Sequence, residues 1–206
     1  SLNFVQSLSA ASEFDLKKLN PKNWVTAAAP VQEKTFEEEK GIAIGGKQGD
    51  EIKSFMLKQA QKLKSIKGAV VSTIRNGEVV KVSLPASLLF LPNDTVLMAD
   101  AETVLRPVLT FMRKDLTKLL ITGHSDNTGR KEYIQQIAQY RATAVEEWFQ
   151  RNGVTDGEMA VFSFADSKPL YDNDSMVNRA KNRRVTLYLV PNTEMIKLAK
   201  RKRLNK

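Results

Sequence analysis

His124, Ser125 and Asp126 stand side by side and are the residue types that hydrolytic chemistry uses. A triad needs serine and histidine to converge in hydrogen-bond contact, whereas consecutive residues of an extended segment point to alternate faces. No GxSxG elbow accompanies them. His124 is the single histidine and the chain has no cysteine, which excludes multi-histidine metal sites, thiol nucleophiles, disulfides and cysteine-bound zinc or iron–sulfur clusters. The expectation is a chain that is not an enzyme and uses neither a metal nor a cofactor.

A second kind of chemistry is written at Arg141. On a helical plot of the segment from about Arg130 to Asn152, Ile134, Ile137, Arg141, Ala144, Val145 and Trp148 fall within an arc of roughly 100°, the width of one core-facing stripe. A guanidinium cannot shed its charge, so on a buried face it needs an anionic partner, unless its stem packs there and its head reaches water. Asp126 lies beyond a short apolar strand and before this helix, where open α/β sheets tend to bind ligands. It also suits a helix cap or turn. Held at one pocket, a carboxylate and a guanidinium can grip a ligand bearing both an ammonium and a carboxylate.

These residues are positioned by a recognisable order of elements. Asp50 to Ile66 repeats apolar residues at helical spacing with a lysine-rich outer face. Ala69–Arg75 and Glu78–Leu84 are valine-rich and flank Asn76-Gly77, a type I′ hairpin signal. Leu88 to Leu91 reads as a short strand. Asp100 to Arg113 reads as a helix that Pro107 kinks or delays. Leu119 to Ile121 reads as a buried strand, and the long helix is closed by Gly153. Met159–Phe164 and Arg184–Val190 are strands separated by a polar loop, and Glu194 to Arg203 suits a terminal helix. Helices alternating with strands imply a mixed β-sheet with helices packed on it, an α/β two-layer sandwich. The expected organisation is an irregular leader over 1–67, with a short helix near 35–40 and the amphipathic one near 50–66, a domain over 68–192, and a basic tail over 193–206.

Net charge is +9, from 32 basic and 23 acidic residues, but it is not carried by the expected domain. Residues 68–192 hold fifteen basic and fourteen acidic side chains, while 41–67 and 193–206 are strongly basic. A nucleic-acid-binding domain concentrates basic charge on its folded surface. The Lys200-Arg201-Lys202-Arg203 run leaves room only for unspecific attraction to an anionic polymer or surface. No stretch of 18 apolar residues is present. The chain opens SLNFVQS, without Met or a signal segment, and reads as a processed product whose export signal or anchor has been removed.

Three separated blocks resemble the OmpA-like peptidoglycan-binding domain family. They are GHSDNTG at 123–129, the helix segment Ile134 to Ala142 followed by Gly153-Val154, and Asn178 to Val185 with its Asn182-Arg183-Arg184 core. The likeness covers about 68–190. It implies a module that anchors an outer-membrane or envelope protein, facing the periplasm, to the peptidoglycan stem peptide through diaminopimelate. Asp126 would receive the ammonium at the side-chain stereocentre and Arg141 the neighbouring carboxylate. Asn93, Asp94 and Thr95 would line the same pocket, with Ser125 keeping the family's hydroxyl. Asn182 and Arg183 would reach ligand carboxylates or clamp the sheet. Ile134 and Ala138 replace a polar Asn and a Ser of the pattern, which leaves open an envelope protein–protein interaction domain with weakened glycan binding. Membrane association would run only through a segment absent from this chain.

Overall fold

The computed structural model describes residues 44–206. Leader residues 1–43, and with them the helix expected near 35–40, lie outside the described residues. Helix α1 (Gly46–Leu63) forms where Ile52, Phe55, Met56, Ala60 and Leu63 share one face, and all five are buried. Its entry is fixed by Glu78, whose carboxylate oxygens both accept the Ile44 N–H at 2.9 Å.

Strands β1 (Val70–Ile74) and β2 (Val79–Pro85) pair antiparallel. Asn76 and Gly77 carry the positive φ angles of a type I′ turn, 58° and 81°, but Arg75 is left-handed as well, at 52°. The connection is therefore longer than the expected two residues. The run Leu88 to Leu91 is not a strand. It begins in a 3-10 turn, Ala86–Leu88, and adds a single bridge from Phe90 to Leu97. Pro92 has no N–H to extend a ladder, and Asn93 turns the chain at φ 57°.

Helix α2 (Ala101–Met112) runs through Pro107 without a delayed start. Strand β3 (Thr117–His124) leads to α3 (Lys131–Arg151). Gly153, at φ 94°, ends α3: its N–H reaches the Gln150 carbonyl while the Val154 N–H reaches Phe149. That is the paired closure of a Schellman motif. After β4 (Met159–Ala165), the loop expected before the last strand contains a short helix, α4 (Met176–Asn182). Ser175 caps it by accepting the Asn178 N–H at 3.1 Å. Strand β5 (Arg184–Pro191) and helix α5 (Thr193–Lys200) follow.

The sheet order is β1-β2-β5-β3-β4, with every neighbouring pair antiparallel except β3 and β4. This is the mixed sheet of an α/β two-layer sandwich. Alternate residues such as Val82, Ile121, Val161 and Leu187 join α1, α2, α3 and α5 in one core. Leu120, Phe162, Tyr188 and Val190 form a smaller cluster on the opposite face. Met195, Ala199 and Leu204 share the large core with α1. The expected divisions near 67 and 193 both run through that core.

Candidate ligand-binding cleft

Strand register brings the chemistry together. β3 and β5 are antiparallel with His124 opposite Arg184, so residues just beyond β3 lie beside residues just before β5. Asp126 and Arg183 occupy those positions, and Arg183 Nη1 donates to Asp126 Oδ2 at 2.5 Å. The end of β2 joins them, since the Ala86 N–H donates to the Arg183 carbonyl at 2.8 Å. The helix wall is set by Gly123. A Cβ there would lie 2.2 Å from the Ala138 carbonyl oxygen, so only glycine lets α3 settle this close to β3.

The result is a cleft of about 710 Å³. Asp126 and Arg141 both line it, together with Ser125, Asn93 and Arg183. They do not pair with each other. Arg141 is only 4% exposed, and its Nε donates to the Asp94 carbonyl at 2.8 Å. One Nη makes a longer contact of 3.4 Å with the Leu91 carbonyl, and the guanidinium carbon sits 5.2 Å from the Phe90 ring centre. Its head does not escape to water along an aliphatic stem. Among the described residues no carboxylate forms an ion pair with it. Burial therefore pushes the Arg141 pKa down. Tyr133, Asp94 and Asp126 oppose that shift, and Arg183 adds to it.

Asp126 is 6% exposed and is not the cap of α3, whose N-cap is Arg130. Its Oδ1 accepts the Thr128 N–H at 2.8 Å in an Asx turn, while Oδ2 holds Arg183. Ser125 Oγ is buried with no hydrogen-bond partner among the described residues. A buried hydroxyl left unpaired carries a desolvation cost that a bound polar group would relieve. His124 turns to the far side of the sheet, where it stacks on Phe164 at 5.4 Å and contacts Thr122 Oγ1. It is not among the residues that line the cleft.

The remaining expected residues divide. Asn93 lines the cleft and its Oδ1 accepts the Tyr133 hydroxyl at 2.8 Å. Asp94 contributes its backbone carbonyl, because its carboxylate folds back onto the Thr95 and Val96 N–H groups. Thr95 and Asn182 stay outside the lining. Asn182, fully buried, accepts from the Leu170 and Tyr171 N–H groups and donates to the Tyr171 carbonyl and Asn173 Oδ1. That clamps the loop before α4. Sequence reasoning missed Phe90, Tyr133, Met176 and Arg179 in the lining. Arg179 stood in the quoted Asn178–Val185 block, but α4, which aims it, has no apolar periodicity to announce it. Among the described residues, no group of three His, Asp or Glu side chains is placed to hold a metal ion.

Residues 89–183 match the model of the OmpA family. Over that stretch the chain is similar to the OmpA family. Over 109 residues it is 30% identical to the outer-membrane lipoprotein YfiB of Pseudomonas aeruginosa, covering 52% of this chain and 64% of that one. Over 71 residues it is 32% identical to the peptidoglycan-associated lipoprotein of Pasteurella multocida, covering 34% and 47%. The chain thus spans less than two thirds of either curated relative. A solved structure of a MotB-like protein from Desulfovibrio vulgaris superposes with a TM-score of 0.60 at 22% identity, over 70% of this chain and 96% of that one. The OmpA-like fold is shared, and the residues matched by the OmpA family model include both Asp126 and Arg183 of the cleft wall.

Proposed function

We propose that this protein is a non-catalytic binding module that holds the stem peptide of peptidoglycan by its diaminopimelate residue, in the bacterial envelope and facing the periplasm. The observation that carries the reading is Arg141, a buried guanidinium whose partners among the described residues are neutral. A ligand carboxylate entering the cleft would supply its missing counter-charge through a charge-assisted hydrogen bond. Asp126 would take the ligand's ammonium, Ser125 Oγ would gain a partner, and Ile134, Ile137 and Phe90 offer an apolar wall for the aliphatic chain. With His124 across the sheet, Ser125 has no base beside it, which favours holding over hydrolysis. The description of one relative as a peptidoglycan-associated lipoprotein supports the same partner.

A second reading rests on Ile134. It lines the cleft where the family pattern has an asparagine, so the fold could serve protein–protein contact in the envelope with glycan binding weakened. Co-sedimentation with purified sacculi separates the two. The native protein is expected in the pellet, and Asp126→Ala, shown folded by circular dichroism, in the supernatant. A native protein that stays soluble, or a folded Asp126→Ala that still pellets, overturns the proposal.

A further inference from the structure

We infer that the sheet face turned away from the helices is a docking surface, and that its occupant is the leader of the same chain, residues 1–43. The inference is independent of the cleft and of its ligand. Helices α1, α2, α3 and α5 bury their apolar side chains on one face of the sheet. On the opposite face Val79, Leu120, Phe162, Phe164, Tyr188 and Val190 form a separate cluster that spans β2, β5, β3 and β4. Among the described residues, the partly buried apolar side chains packed against it are Ile74, opposite Val79 on β1, and Ile196 of α5. Two side chains do not shield an aromatic patch four strands wide. Phe162 and Phe164 are nevertheless 2% and 3% exposed, although β4 is an edge strand. The other edge shows what an uncovered position looks like: Val70 of β1, on the same side as Ile74, is 65% exposed. The cover lies over β2 to β4 and stops short of the far end of β1.

Charge and length name the occupant. The five strands hold no acidic residue, and strand register turns Lys81, Lys118 and Arg184 to this same face. Lys81 Nζ sits 5.8 Å from the Tyr188 ring centre, so cation and aromatic surface are interleaved. A segment that complements such a face is apolar and acidic together. Residues 1–43 carry six acidic against five basic side chains, whereas the rest of the chain carries twenty-seven basic against seventeen acidic. Within the leader, the run Glu37-Glu38-Glu39 follows Phe36, and Phe4, Phe14 and Trp24 supply further aromatic surface. The point of departure also fits. The Ile44 N–H is bonded to Glu78, the residue before Val79, so the leader joins the described residues beside one end of the cluster. From β2 to β4 is three strand spacings, about 14 Å, which about five extended residues cross. Docking takes the aromatic patch out of water, which is the driving force.

The test uses the full chain, whose lack of cysteine allows a single thiol to be placed at will. A nitroxide on Ser83→Cys, on the same side of β2 as Val79, is expected to cut the amide signals of a stretch within residues 1–43 to less than half their intensity. The same label on Glu147→Cys, on the exposed side of α3, should leave that stretch little changed. Isotope-labelled native protein mixed with unlabelled, nitroxide-bearing protein should show no loss in the leader, which keeps the contact within one chain. In the unsubstituted protein, carbodiimide, which joins touching carboxylates and amines, should link a leader carboxylate to Lys81 or Lys118. Leader signals untouched by the Ser83→Cys label overturn the inference. So does a loss that the mixed sample reproduces, which would give the face to a second copy. If the label unfolds the chain, as circular dichroism would show, the cross-links decide alone, and the absence of any leader link to Lys81 or Lys118 overturns it.

Discussion

Arg141 is the residue at which packing and chemistry pull in opposite directions. A charge taken out of water without an ion-pair partner costs stability, and replacing it by an apolar side chain of similar length is neutral or stabilising. Two backbone carbonyls and an aromatic face orient it without neutralising it. Ser125 shows the same pattern on a smaller scale, a buried hydroxyl with no hydrogen-bond partner among the described residues. Sites that bind ligands keep such groups at the expense of the free protein's stability. Both Arg141 and Asp126 were visible in the sequence, because a cation on an apolar helical stripe and an anion at a strand's end contradict their surroundings. What was not visible was the partner of Asp126, which is Arg183, 57 positions away. That pairing depends on β5 lying between β2 and β3, an order no local pattern specifies.

At the scale of elements, α3 does two jobs with one face. Val145, Trp148 and Phe149 join the main core, while Ile134, Ile137 and Arg141 form the cleft wall. Its position depends on Gly123. Gly123→Ala would push α3 off β3, with an expected loss of about 1–3 kcal/mol, read by urea denaturation, and a parallel loss of peptide binding. Unchanged stability would mean that the close approach is not a constraint. The outer side of α3 carries Glu146, whose pKa burial, helped by Asp156 and Glu147, pushes up to about 7. The folded protein then holds a proton that the unfolded chain releases near 4.5, so stability falls as pH rises from about 4.5 to 7 and stays reduced above. Glu146→Gln should therefore raise Tm at pH 8 and change it little at pH 4, as differential scanning calorimetry would record. The long helices and the valine-rich strands were legible because their apolar periodicity is sustained. α4 was not, since seven residues with a single buried side chain, Asn182, leave no period to detect.

Across the whole molecule, the segments flanking the OmpA family match are structural partners of the sheet. α1 and α5 pack together on it, Leu204 is 7% exposed, and Asn205 Nδ2 donates to Glu51 at 2.9 Å. The composition of both segments, lysine-rich outside and apolar at helical spacing inside, announced helices but not where they dock. Leu204→Ala should cost about 2 kcal/mol of stability, at the lower end for a buried leucine, measured by chemical denaturation. No loss would place the C-terminal turn outside the cooperative core.

The central claim is that Arg141 is retained for a ligand carboxylate and not for folding. Calorimetric titration of a diaminopimelyl tripeptide into the native protein and into Arg141→Met, with melting curves of both, tests it directly. The expected result is an Arg141→Met protein that melts at or above the native temperature yet binds the peptide at least a hundredfold more weakly. A variant that binds as tightly as the native protein, or one that loses both stability and binding together, would contradict the account.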